Sequence, residues 1–228
     1  MQTTMVYDDK SARPDAQVNA SGGSASIQGG ALTIDVAAFQ NADVKFLSSD
    51  YANLDWTRVG YWSTGGGWWD ADDVVGRSGV FVTGYETPAA AVPTTGSATY
   101  AGAVQGTVLY PGTSAGTTHC NCVVETLAGN ASFTANFGTR NVSGSLTSMT
   151  AGGVPWNSVA FNSTITGNSF SGTTSVTTTP AGPASLAPNA TGTVEGRFFG
   201  PSAQEAGAVW TLFDGVKAAI GTLTGKGP

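Results

Sequence analysis

The chain has 228 residues and a net charge of −6, from nine Lys and Arg residues against fifteen Asp and Glu residues. Its 40% hydrophobic and 10% aromatic content can fill a core, which excludes intrinsic disorder. The acidic surface repels phosphate backbones and anionic lipid headgroups, so we expect no nucleic acid partner and no peripheral membrane binding. No apolar run approaches the length of a transmembrane helix.

The chain begins with a polar segment, residues 1–23, which contains Pro14 and a Gly-Gly pair and is predicted to be a flexible N-terminal leader. The remainder, 24–228, is predicted to form a single β-barrel-type domain. Within it, 24–93 supplies N-terminal strands and 94–228 supplies the core barrel hairpins. Apolar alternation predicts the N-terminal strands at 26–39, 53–63 and 79–87.

Strands then recur regularly, and Phe137–Asn141 and Thr166–Ser169 have the sequences of hairpin turns. This spacing predicts an all-β fold, namely an antiparallel up-and-down barrel of about eight strands with an additional N-terminal strand and loop region. A two-sheet sandwich is the alternative. Glycines within strands favour the barrel, because strongly coiled strands need glycine where the sheet bends. The predicted strands are 95–110, 123–137, 140–148, 157–166, 169–178, 191–199, 207–213 and 217–224.

One stretch near the C-terminal end is especially informative about architecture. Gly192–Pro201 carries Val194 and Phe198 at the even spacing of one strand face, and a second apolar run, Ala208–Phe213, follows its Gly-Pro stop. This pattern predicts a two-stranded hairpin. Gly196 is the predicted place where another backbone or a large ring approaches closely.

This hairpin resembles the last hairpin of the transferrin-binding protein B-like β-barrels, a family of bacterial surface or secreted proteins. The further stretches that resemble the family, in the same order, are Leu54–Trp62, Gly84–Gly102, Ala131–Leu146 and Phe170–Gly172. Asn136 stands where the family usually has Asp. The resemblance implies a non-catalytic binding protein, and members are known for binding transferrin, haemoglobin, haem or complement factors. It therefore implies a fold without naming the ligand.

Aromatic residues supply candidate ligand contacts. Trp68 and Trp69 follow three glycines and precede three aspartates, and such aromatics on a loop are typical anchors for a protein partner or a flat ligand. The alternatives are that the two rings plug a barrel mouth, or that the aspartates bind Ca²⁺. Tyr61 and Trp62 are further candidates, with positions in the core and on the outer face of a strand as the alternative.

His119 is the only histidine, and it lies in the predicted 111–122 loop. One imidazole beside apolar walls suffices for axial haem ligation, so haem is the one cofactor that the sequence suggests; the alternative is an exposed loop histidine. Adjacent strand residues point apart, so His119 and Cys120 do not form a nucleophilic pair. Cys120 and Cys122 leave three interpretations: a strained local disulfide, two free or intermolecular thiols, or contacts to a metal or haem.

These features predict a non-catalytic protein that is secreted or at the bacterial cell surface (outer membrane). We expect it to capture an iron source, either haem or an iron-carrying protein, through loops at one barrel end. The alternative is a structural subunit of an extracellular assembly or surface layer. In that case residues 1–23 would be an exchanged strand, and a cysteine would link chains.

Overall fold

The computed structural model describes the backbone at residues 2–8, 13–17, 25–28, 31–34, 42–46, 54–64, 75–112 and 122–227, and side chains at 54–62, 79–112 and 122–227. The strands are β1 (Gln2–Asp8), β2 (Arg13–Gln17), β3 (Ala25–Gln28), β4 (Ala31–Ile34), β5 (Ala42–Phe46), β6 (Thr57–Thr64), β7 (Val75–Gly84), β8 (Ser97–Pro111), β9 (Cys122–Asn136), β10 (Asn141–Ala151), β11 (Val154–Pro155), β12 (Ser158–Thr166), β13 (Ser169–Thr178), β14 (Thr191–Phe199), β15 (Glu205–Phe213) and β16 (Ala218–Lys226). A short 3-10 helix, Ala89–Ala91, lies between β7 and β8.

Eight strands close into a barrel. The larger sheet has nine strands in the order β11-β10-β12-β13-β14-β15-β16-β8-β9, and β9 also pairs with β10, which joins the circuit. The two-residue β11 is an appendage of β10, which leaves eight strands in the barrel wall. All pairings in that wall are antiparallel. The predicted up-and-down barrel is therefore confirmed, and the sandwich alternative is wrong.

A second sheet has the order β2-β1-β7-β6-β5, while β3 and β4 pair with each other. The sequence predicts a strand over 26–39 that is broken by Gly29–Gly30, and the structure forms two short paired strands there, β3 and β4. It also forms β1 and β2 inside the segment 1–23, for which the sequence predicts a leader. A local pattern does not show this, because β1 pairs with β7, which is distant in the chain.

The barrel interior is filled by side chains. Phe170 packs against Phe198 with ring centroids 5.4 Å apart, and Tyr100 stacks on Phe133 at 5.1 Å. Each of these four rings is at most 2% exposed. A barrel of about eight strands is just wide enough for side chains to fill, so this interior is a packed core.

One end of the barrel, which we call the hairpin end, carries the short turns that include residues 137–140 and 200–204. Gly167 begins the two-residue turn between β12 and β13 with φ of 61°, as a type II′ hairpin requires. Phe137 closes this end by packing on Phe198 at a centroid distance of 5.6 Å. Both predicted hairpin turns are therefore present.

The opposite end, which we call the plug end, is covered by the segment 179–190. The Trp156 indole donates to the Ala184 carbonyl at 2.8 Å. The Asn157 amide donates to the Leu186 carbonyl at 3.0 Å and accepts the Leu186 N–H at 2.8 Å. Leu186 is fully buried as a result, so this segment seals the core from solvent.

Asp214 holds the plug segment to the adjacent turn. Its carboxylate accepts the backbone N–H groups of Ala187, Val216 and Lys217 at 3.0, 2.9 and 2.7 Å. Partial burial acts to raise the pKa of Asp214, but these three donors and the Lys217 charge outweigh it, so the pKa lies below 3.8. The Lys217 ammonium donates in turn to the carbonyls of Pro183 and Ser185, both at 2.6 Å.

Gly196 leaves room for a large ring, as the sequence predicts. Its Cα faces the interior, and a Cβ added there would overlap the Phe170 ring. We expect Gly196→Ala to lower the free energy of unfolding by about 1–3 kcal/mol through overpacking. Denaturant unfolding followed by near-UV circular dichroism measures this. The control is Gly138→Ala, whose Cβ would meet only Asn136 Oδ1 at 3.5 Å; an equal loss in both variants would contradict the prediction.

The lowered pKa of Asp214 makes part of the stability depend on pH. A depressed folded-state pKa contributes stability above the unfolded value, and this contribution is lost as the pH falls through the folded value. We therefore expect the wild-type protein to lose more unfolding free energy than Asp214→Asn between about pH 5 and pH 2. Urea titrations at a series of pH values measure the difference, with Glu195→Gln as the charge control. Parallel pH profiles for wild type and Asp214→Asn would contradict this role.

Candidate ligand-binding surface

The N-terminal sheet packs on the outside of the barrel, against β15, β16 and Phe199 at the end of β14. A small apolar cluster joins them, formed by Val59, Val80, Val82, Phe199 and Val209. A Cβ on Gly207 would lie 2.6 Å from Val82 Cγ1, so this glycine permits close approach of the two sheets. β15 is consequently buried on both faces.

Glu205, the first residue of β15, connects the two sheets through its carboxylate. Oε1 accepts the Asp55 N–H at 2.7 Å, and Oε2 accepts those of Trp56 and Thr57 at 3.0 and 2.9 Å. The side chain is fully buried. A buried carboxylate needs such donors, because hydrogen bonds to the charged form replace the water that it has lost.

Other contacts brace the same junction. The Lys226 ammonium pairs with Asp55 Oδ2 at 2.7 Å, and this hydrogen bond raises the pKa of Lys226. The Tyr85 N–H donates to the Trp56 carbonyl at 2.9 Å, and the Gly200 N–H donates to the Tyr85 carbonyl at 2.8 Å. The start of β6 and the segment after β7 are therefore fixed to the hairpin end together.

An exposed aromatic pair lies at this junction. The ring centroids of Trp56 and Tyr85 are 5.7 Å apart at an angle of 52°, and the two residues are 36% and 59% exposed. Exposed aromatics on fixed backbone are common anchors in protein interfaces, because little conformational entropy is lost when they bind. Sequence reasoning missed this pair. Its members are distant in the chain, and no motif joins them.

Trp68, Trp69 and His119, which the sequence predicts as ligand contacts, lie outside the described residues. The strand ends that flank them can be located. Val80 of β7 packs near Val209, whereas Glu86 bridges Phe199 at the hairpin end, so β7 begins toward the plug end. β8 ends and β9 begins at the plug end as well, where Leu109 pairs with Ala218.

The other two predicted contacts lie next to each other on β6 and differ in exposure. Tyr61 is 36% exposed, whereas Trp62 is 6% exposed. Alternation along the strand sends the two side chains to opposite faces of the sheet. Of the two rings, only Tyr61 offers substantial surface to an external ligand.

One of the two cysteines, Cys122, lies in the described part of the chain and is disulfide-bonded, whereas Cys120 lies outside the described residues. In that part, no group of three or more His, Cys, Asp and Glu side chains could hold a metal ion. Across the same residues, no helix is both long and apolar enough to span a bilayer.

A family model described as the C-lobe and N-lobe beta barrels of Tf-binding protein B matches residues 92–226, which include every strand of the barrel. The chain belongs to this family. The family resemblance inferred from the hairpins is thus confirmed. A comparison with curated proteins finds no match.

Solved structures share the whole fold. A single-substitution variant of transferrin binding protein B from Haemophilus parasuis Hp5 has 18% identity and a TM-score of 0.56, with 100% of this chain and 45% of that chain covered. A surface lipoprotein has 18% identity, a TM-score of 0.57 and coverages of 100% and 98%. The N-lobe of lactoferrin binding protein B from Moraxella bovis has 14% identity, a TM-score of 0.55 and coverages of 100% and 99%. The chain thus spans about half of a full-length transferrin binding protein B and nearly all of an isolated lobe.

Proposed function

We propose that this protein is a non-catalytic binding protein of the bacterial surface and that its ligand is an iron-carrying protein. The family match supports binding as the activity. The similar structures are named for transferrin and lactoferrin binding, and one is named a surface lipoprotein. The predicted outer-membrane location is part of this proposal.

The packed interior of the barrel favours a protein ligand over a small flat one. Buried rings fill the barrel interior, and Phe137 and Leu186 close its two ends, which supports binding on the outer surface. A small flat ligand such as haem is normally held in a concave pocket, whereas a protein partner can spread over an exposed surface of about 800 Å². The outer surface offers the Trp56–Tyr85 pair at the hairpin end. Tyr61, Trp62, Trp68, Trp69 and His119 remain the contacts that the sequence predicts, and of the two described residues among them Tyr61 is the exposed one.

Binding to iron carriers tests the proposal directly. We expect immobilised transferrin or lactoferrin, iron-loaded or iron-free, to capture the protein in a biosensor assay. Two double variants should each weaken binding about tenfold or more: Trp56→Ala with Tyr85→Ala, and Trp68→Ala with Trp69→Ala. The reason is that a few aromatic anchors carry most of the binding energy of such interfaces. The two double variants test the Trp56–Tyr85 pair and the Trp68–Trp69 pair separately. Phe213→Ala is the control for the Trp56–Tyr85 variant. It removes a ring that is 41% exposed but lies at the plug end of β15. Failure to bind either carrier in any iron state would overturn the proposal.

Haem binding is the competing outcome. We expect haemin titrated into the protein to keep the Soret band of free haem, because the barrel interior is filled. A shifted band that is lost in His119→Ala would instead make haem the ligand and His119 its axial residue. Absorbance spectra of the wild-type protein and of His119→Ala, each with haemin, distinguish these two outcomes.

The alternative of a structural subunit is not favoured by the comparisons. We expect size-exclusion chromatography with light scattering to give a monomer, with and without reductant. A stable polymer without ligand would support an assembly role instead.

A further inference from the structure

We propose that Glu205 positions the N-terminal sheet on the barrel and, through this, sets the geometry of the ligand-binding surface. The first part of this proposal concerns only the docking of the N-terminal sheet on the barrel. The second part, the effect on ligand binding, rests on the proposed function.

Both oxygens of the Glu205 carboxylate form hydrogen bonds across this junction. Its two oxygens accept three backbone N–H groups, all from residues 55–57 of the other sheet, while the side chain has no exposed surface. Hydrogen bonds to a charged acceptor are about twice as strong as neutral ones. Lys226 faces Glu205 across the β15–β16 pairing and binds Asp55, so the chain that Glu205 holds is also tied to the next barrel strand.

Among the described side chains, the apolar part of the interface is the cluster of Val59, Val80, Val82, Phe199 and Val209. The hydroxyls of Thr57, Thr222 and Thr224 are buried and have no hydrogen-bond partner among the described residues. Such unsatisfied groups oppose burial. Glu205 is the only fully buried charged side chain in the described part of the chain, and its hydrogen bonds act together with the Lys226–Asp55 pair and the Gly200–Tyr85 hydrogen bond.

The position of this contact gives it consequences for the exposed aromatic pair. The Glu205 donors include the Trp56 N–H, and the Trp56 carbonyl accepts the Tyr85 N–H. A ligand that contacts both sheets thus requires them to keep one relative position.

Hydrogen exchange measured by NMR tests the docking step without any ligand. Glu205→Gln keeps the shape but replaces one acceptor oxygen with an NH₂ group that faces a backbone donor. We expect the Asp55, Trp56 and Thr57 amides to exchange about 100-fold faster in this variant. The barrel amides of β9 and β12 should stay within about threefold of wild type, since they lie away from the junction. Glu195→Gln, the same substitution at a half-buried position on β14, should leave all of these rates unchanged.

Two results would overturn the docking step: unchanged exchange at residues 55–57 in Glu205→Gln, or equal acceleration in Glu195→Gln. If Glu205→Gln does not fold, Glu205→Asp replaces it. Asp keeps the charge but is shorter, so we expect a smaller acceleration that is still confined to the same three amides.

Binding to the iron carriers then tests the second step. We expect Glu205→Gln, with its barrel folded, to lose about tenfold or more in affinity while Glu195→Gln binds as wild type. Fast exchange at residues 55–57 with unchanged affinity would overturn the positioning role. If the wild-type protein binds no carrier, the proposed function fails but the docking result stands.

Discussion

The Glu205 carboxylate is the contact on which the arrangement of the molecule depends. A carboxylate without exposed surface needs several donors, and here they are three successive backbone N–H groups of the other sheet. Asp55 and Trp56 precede β6 and Thr57 is its first residue, so their N–H groups can converge on one acceptor where the strand only begins. The start of β6 must therefore lie over the start of β15. Gly207, two residues further on, leaves space for Val82, so the same strand provides both the polar contact and the close apolar one.

The packing of the barrel is the observation behind our proposal that the ligand binds on its outside. Buried rings occupy the inward positions, and glycine occurs where a neighbouring ring needs the space, as at Gly196 beside Phe170. The plug segment is held by Asn157 and Asp214, whose side chains hydrogen-bond to its backbone. The interior is consequently a core that stabilises the fold, and the outer surface carries what varies with the ligand.

The barrel could be predicted well because its information is local. The hairpin over 191–213, the turn at Gly167 and the close approach at Gly196 all follow from residues near one another in the chain. The family followed from the same stretches. The candidate surface was harder to predict, because exposure depends on neighbours that are distant in the chain. Alternation places Tyr61 and Trp62 on opposite faces but does not say which face is covered, and the structure buries Trp62.

By itself, the sequence determined that this is an antiparallel up-and-down barrel of the transferrin-binding protein B family, since strand period, turn residues and in-strand glycines are properties of short segments. Only the tertiary structure decided that β1 and β2 join the second sheet, that this sheet docks through Glu205, and that Trp56 meets Tyr85. The physical reason is that burial and the partners of a charge are set by residues that meet only when the chain is folded. Glu205 belongs to the Glu-x-Gly that follows the Gly-Pro stop of the last hairpin, but this pattern does not show that the carboxylate is fully buried.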